Sequence, residues 1–231
     1  MGDDMSHRTK GMTMAETTVE APGGGRTDGA RIDLAAVELL ALVSMRRNTA
    51  TDRARALLGL PEDGIDSPVT TAGVGSLLAR RLATVAEGRL APLGPVNEIA
   101  SILMNAVEWI EAIGTTDDAS NVAAVIRSPE GTVLLEPRPY DVWNAWPLSQ
   151  GDPLPVIGAR FVASAFGNLP RSRPFSGSVR VVAADATTRS AVVTVSDDEA
   201  WTLASGPGGD ISEPAPITPD PTFQVLATTL A

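Results

Sequence analysis

The runs "NVAAVIR" (121–127) and "TVLLEPR" (132–138) are rich in β-branched and aliphatic residues, and only "SPEG" separates them. Pro129 suits the second position of a type I turn and Gly131 can take a left-handed position behind it, so the two runs fold back on each other as an antiparallel hairpin. A chain with this hairpin at its middle is committed to an antiparallel sheet. Pro137 and Pro139 should stop the second strand, and "YDVWNAWPL" then leaves it. That segment holds Tyr140, Trp143 and Trp146, three of the nine aromatic residues. Spaced three apart, they would reach neighbouring faces of one or two helical turns. Rings of this kind serve cores by area and interfaces as hot spots. Core packing is thus one reading, and a partner-binding face made of Tyr140, Trp143 and Trp146 is the other.

Further along, "VRVVAAD", "SAVVTVS" and "AWTLA" read as a three-stranded meander turning at 185–189 and 197–199. "AVEWIEAIG" alternates at Val107, Trp109 and Ile113 as a strand does, although Ile102, Ala106, Ile110 and Ile113 also keep helical spacing. Helices are expected elsewhere. Asp33 can cap "LAAVELLALVSMRR", and Thr51 or Asp52 can cap a short helix ending at "LLGLPEDG". A third helix over 72–84 carries Val74, Leu77, Leu78 and Leu82, with a break at Gly88 and Pro92. Pro95 then sits in the first turn of a helix whose apolar face is Val96, Ile99, Ala100, Ile102 and Leu103. "PVIGARFVASAF" is a further helix. The expected class is α+β: a mostly antiparallel sheet, hairpin plus three-stranded meander, with packed helices.

The chain has 231 residues, which suits a single core. Residues 1–30 lack either periodicity and read as a disordered tail. Residues 31–205 form the α+β domain, 206–222 a Pro/Gly-rich linker, and 223–231 a C-terminal apolar segment that either docks on its own domain or is offered to another protein. Residues 1–30 hold no apolar signal region and no 18-residue apolar run occurs, so the expectation is a cytoplasmic protein without membrane insertion. "MGDDMS" fits the myristoylation pattern through Gly2 and Ser6 only formally, since two Asp follow the glycine.

Composition removes much of catalysis. There is no cysteine, His7 is the only histidine and Lys10 the only lysine, and both lie in the 1–30 tail. Thiolate chemistry, a Ser-His-Asp triad, a Schiff-base lysine and His- or Cys-ligated metals would need an unanchored segment. No cofactor is expected. Paired carboxylates remain, with Asp117/Asp118 and Asp197/Asp198/Glu199 as adjacent candidates, but Asp favours turns for its local hydrogen bonds and both groups fall at turns. "GVGS" (73–76) has neither the third glycine, the preceding strand nor the lysine of a phosphate loop, and reads as a helix start.

The net charge is −10 and the pI about 4.6, so nucleic-acid binding would need a basic patch against an acidic field. Charge is segregated: 107–152 has eight acids against Arg127 and Arg138, while 153–196 has five arginines against Asp185. Without interleaved stacking aromatics, those arginines do not read as a nucleic-acid surface, and the two stretches either face each other or are separately solvated.

The order of elements resembles the EspG family, the cytosolic chaperones of actinobacterial type VII (ESX) secretion. Leu77, Leu78, Arg81, Leu82, Ala83, Gly88, Leu90 and Pro92 carry the likeness, followed by Ile99, Leu103 and Trp109, the 121–137 hairpin, and "TVSDDEAWTLASG" around Trp201. The second half is shorter than that family's, and the N-terminal tail and Pro-rich extension depart from it. The resemblance implies a mixed sheet flanked by helices, no enzymatic activity, and binding of a helical secretion substrate through an apolar surface at Tyr140, Trp143 and Trp146. The alternative function is structural: an assembly or immunity-type protein acting by occlusion.

Overall fold

The structure is a computed structural model that describes residues 31–62, 66–148, 151–169 and 173–231; the tail expected over 1–30 lies outside them. The fold is α+β. Its centre is a nine-stranded sheet in the order β1-β7-β6-β5-β4-β8-β9-β10-β11, and every neighbouring pair is antiparallel. The strands are β1 (Ile32–Ala35), β4 (Glu108–Thr115), β5 (Ser120–Ser128), β6 (Gly131–Arg138), β7 (Val142–Leu148), β8 (Phe175–Ala183), β9 (Thr188–Val195), β10 (Trp201–Pro207) and β11 (Ala215–Pro216). A separate two-stranded arm comprises β2 (Ala83–Ala86) and β3 (Arg89–Pro92).

The expected hairpin and meander are both present, and β4 joins them by pairing with β5 on one side and β8 on the other. Gly131 does not take the left-handed position expected of it. It pairs with Ser128 directly across the Pro129–Glu130 turn, and an added Cβ would lie 3.1 Å from Ile102 Cδ1, so the glycine makes room for a helix side chain.

Among the described residues, six helices complete the fold: α1 (Ala36–Ser44), α2 (Thr49–Leu57), α3 (Pro68–Ala79), α4 (Gly94–Met104), α5 (Leu154–Asn168) and α6 (Gln224–Leu230). Their coverage of the sheet is diagonal. Strand alternation sends Leu34, Trp109, Ala124, Ile126, Val133, Leu135 and Ala145 to one face, where they pack with α1 to α4. Ile110, Ala112, Ala123, Val125, Val179, Val181, Ala191 and Val193 point to the other face, under α5 and α6. Each helical layer therefore covers about half of a different face.

Several local expectations are corrected. Asp33 does not cap α1: residues 32–35 pair with β7, and α1 begins after Ala35, whose N–H donates to Glu38 Oε2 at 2.9 Å. Asn48, not Thr51 or Asp52, caps α2; its Oδ1 accepts from Thr51 N at 2.9 Å while Thr51 Oγ1 accepts from Asn48 N. The helix expected over 72–84 runs over 68–79 behind Ser67, which accepts from Thr70 N. Arg81 stops it in a left-handed conformation (φ 58°), and the residues beyond form the β2–β3 arm, turning through Glu87 and Gly88 at φ 51° and 73°. "GVGS" accordingly lies inside α3 and is not its start. Gly73 is there for close approach, because a Cβ on it would stand 1.9 Å from the Val37 carbonyl oxygen of α1.

The stretch 206–222 is not a free linker. Gly208 N donates to Thr188 O, Ser212 N to Ser205 O and Ile217 N to Trp201 O, and β11 pairs with β10. The apolar C-terminus docks in cis: Phe223, Leu226 and Leu230 are buried with α5 and the β8–β9 face.

Candidate functional site

The segment holding Tyr140, Trp143 and Trp146 is a strand, not helical turns. Proline 137 does not end β6, which pairs with β7 as far as Arg138↔Val142, and the chain turns through Tyr140 and Asp141, both left-handed at φ 66° and 56°. Strand alternation then separates the rings, since positions three apart on a strand point to opposite faces. Trp143 is half-buried against the α1–α4 core, and Trp146 is half-buried against the α5–α6 core. Tyr140 stands at the hairpin tip with 95% of its surface exposed. The three do not form one surface.

The carboxylate candidates occupy turns. Asp117 and Asp118 are exposed in the β4–β5 loop, closed by Thr116 N donating to Ala119 O at 2.8 Å. Asp197, Asp198 and Glu199 are exposed between β9 and β10, and the Ser196 hydroxyl hydrogen bond holds the Asp198 carboxyl below its ordinary range. Among the described residues, no three His, Cys, Asp or Glu side chains converge as a metal site, and no helix is long and apolar enough to cross a membrane.

The segregated charge does meet across the sheet. Pairing of β4 with β8 sets Glu111 opposite Arg180, their closest atoms 4.0 Å apart. Arg160 pairs with Asp152, and Arg127 Nη1 lies 3.9 Å from Glu108 Oε2. Arg173 stacks over Phe166, and Arg189 donates to the terminal Ala231 O. Spread over the sheet and both ends of α5, these cations do not make a stripe.

Two features that sequence reading did not isolate stand together. The first is a bare quadrant of the sheet. On the face that α1 to α4 cover over β5 and β6, the helices reach only the end of β8 at Val182 and Ala183 and leave the rest of β8, β9 and β10 bare. There Ile113, Val122, Ser176, Ser178, Val192, Thr194 and Thr202 lie half-buried, with no described helix packed across them. Alternating positions of strands already expected could have named Ile113, Val122, Val192, Thr194 and Thr202, but Ser176 and Ser178 precede the expected strand "VRVVAAD", and that no helix covers any of them could not be read.

The second is a cleft of about 210 Å³ at the border of the helical layer, lined by Arg53, Ala56 and Leu57 of α2, Trp109 and Glu111 of β4, and Arg180 and Val182 of β8. Arg53 is held in place: Nη1 donates to Ala183 O at 2.8 Å and Ala184 O at 2.7 Å, and the guanidinium lies 5.2 Å from the centre of the Trp109 ring. The Trp109 ring is buried and its Nε1–H has no partner among the described residues. Neither a protein-family model nor a curated protein matches the chain.

Proposed function

We propose that the chain is a non-catalytic, intracellular protein-binding domain that holds an apolar helical partner, in the manner of an EspG-like chaperone for a type VII secretion substrate. The bare quadrant of the sheet carries this reading. Ser176, Ser178, Val192, Thr194 and Thr202 are short, so a helix can lie close to the sheet backbone, and Ile113, Val122 and Val192 offer it an apolar floor. The resemblance of the chain to the EspG family supplies the class of partner. Tyr140, exposed at the β6–β7 tip in a conformation that bulky residues rarely adopt, is a second contact point. Trp143 and Trp146 act by positioning β7 between the two cores.

The test is co-purification of the tagged full chain with candidate helical secretion substrates, followed by affinity measurement on the purified pair. Val192→Glu is expected to weaken binding at least about a hundredfold, because it buries an unpaired charge in the interface, while the circular dichroism spectrum is unchanged. Recovery of the chain alone, as a dimer that Val192→Glu dissociates, would instead assign the same face to self-assembly.

A further inference from the structure

The chemistry of the α2–β4–β8 cleft differs from that of the bare sheet beside it. Its walls are apolar at Leu57, Val182 and the Trp109 ring, and its polar groups are two guanidiniums against one carboxylate. Arg53 spends only Nη1 on the Ala183 and Ala184 carbonyls, so its Nε–H and Nη2–H groups have no partner among the described residues. Arg180 is half exposed, and at 4.0 Å from Glu111 it is loosely paired and able to turn toward another anion. A guanidinium fixed by two backbone carbonyls and a stacked indole is preorganised, which lowers the entropic cost of gripping a carboxylate. The two guanidiniums facing the cleft favour an anion, even with Glu111 inside it and the exposed Asp185 near Arg53, and the apolar walls select one with a hydrophobic body.

We infer that this cleft, between Arg53 on α2 and Arg180 on β8 with Trp109 beneath, is a binding site for a small organic acid: a carboxylate carried on an aromatic or aliphatic body. The carboxylate meets the guanidiniums, and the body packs on Leu57, Val182 and Trp109. Glu111 competes with the ligand for Arg180 and so sets the affinity. The site borders the partner-binding face, since Glu111 and Arg180 are the next same-face neighbours of Ile113 and Ser178, but its test uses the protein alone and does not depend on that reading.

The experiment is a titration of the full-length ¹⁵N-labelled protein with phenylacetate, read at the Trp109 indole N–H resonance, which Trp109→Phe identifies by its loss. Phenylacetate is expected to move that resonance saturably, with Kd on the order of 1 mM for a ligand of this size. Phenethylamine, which has the body without the anion, and inorganic phosphate, which has the anion without the body, leave it in place. Arg180→Gln weakens binding about tenfold through loss of a charge-assisted hydrogen bond, and Glu111→Gln tightens it about threefold by removing the competitor. A residue that merely held the fold would not give these opposite signs. No shift at any phenylacetate concentration, an equal response to phenethylamine or phosphate, or weaker binding in Glu111→Gln each overturns the assignment.

Discussion

The two faces of the sheet are closed by different kinds of core. The α1–α4 side is aliphatic, built on Leu34, Leu39, Leu40, Leu42, Leu77, Ile99 and Leu103, all fully buried and supplied by α1, α3, α4 and the edge strand β1. The α5–α6 side is aromatic: Phe166, Phe175, Trp201 and Phe223 meet edge-on or tilted at centroid distances of 5.0 to 5.7 Å. Many interchangeable leucines spread the stabilisation, each contributing about 1.5–3 kcal/mol on full burial. Four large rings concentrate it, and their geometry leaves little room for adjustment. The aromatic core also needs glycine beneath it: a Cβ on Gly114 would stand 2.4 Å from Ala165 Cβ, and one on Gly177 2.3 Å from Val162 Cγ1.

The strongest break in either half comes from a methyl group placed where two backbones nearly touch. Gly73→Ala drives a Cβ into the Val37 carbonyl and forces α3 from α1, and Gly114→Ala lifts α5 from β4. Each is expected to cost about 3 kcal/mol or more, measured by urea unfolding, since neither clash can be relieved by a rotamer change. Gly177→Ala meets the end of a valine side chain and should cost less. Equal losses at 73, 114 and 177 would show that α1 and α5 give way as readily as a side chain does.

Truncation separates the two cores more finely. Phe223→Ala is expected to cost about 3–5 kcal/mol and Leu40→Ala about 2–5 kcal/mol, with a difference in kind. Phe223 touches Phe166, Phe175 and Trp201 and is the first anchor of α6, so its loss should collapse the near-ultraviolet dichroism of Trp201 and expose the C-terminus to protease. Leu40→Ala should leave both signals intact. If both variants lose the Trp201 signal in the folded state, the cores are a single cooperative unit.

These contrasts also mark how far the sequence could be read. The β5–β6 hairpin, the meander and α5 follow from alternation, turn chemistry and apolar spacing, all local. At Tyr140 to Trp146 the period misleads: three-residue spacing suggests helical turns, while two consecutive left-handed residues with no glycine make a tight turn that sequence does not announce. Arg81 stopping α3 with a positive φ is the same kind of miss. The 206–222 stretch is ambiguous by sequence because prolines mark extended chain equally well in a spacer and along a sheet edge. The cleft was illegible for another reason: Arg53, Glu111 and Arg180 meet only through the β4–β8 register and the seating of α2, which no window of sequence contains.

Among the described residues, the one buried charged side chain lies in the aliphatic core. Glu38 is fully buried, accepting from Ser76 Oγ and Arg80 Nη1 at 2.6 Å each and from Ala35 N at 2.9 Å, so it ties the start of α1 to α3. Glu38→Ala strands those donors and is expected to cost about 2–4 kcal/mol, the lower part of the range because Arg80 is near enough to the surface to be solvated. Thermal unfolding of Glu38→Ala beside Arg80→Ala checks this, with the larger loss expected for Glu38.

The smallest effects are two carboxylates with opposite pH slopes, one for each half of the sheet. Asp220 accepts from Thr222 Oγ1, Thr222 N and Val225 N at the start of α6; burial alone would raise its pKa, but these hydrogen bonds outweigh it and hold the group below its ordinary value. Its folded form prefers the anion, so its contribution, about 1 kcal/mol from hydrogen bonds to the loop and first turn of α6, is present above the unfolded-state pKa and lost as pH falls through the lowered folded value. Glu136, half-buried on β6, is raised by desolvation against the opposing pull of Arg138. Its folded form prefers the proton, so stability declines as pH rises from the ordinary value of 4.5 through the raised one, and it stays lower above that. Glu136→Gln should therefore raise Tm at pH 7 and leave it unchanged below about pH 4, where both states are protonated. Asp220→Ala should lower Tm at pH 7, by an amount that shrinks in acid. A pH-independent gain in Glu136→Gln would mean that the carboxylate is solvated and that β6 is as open at that point as the bare quadrant across the sheet.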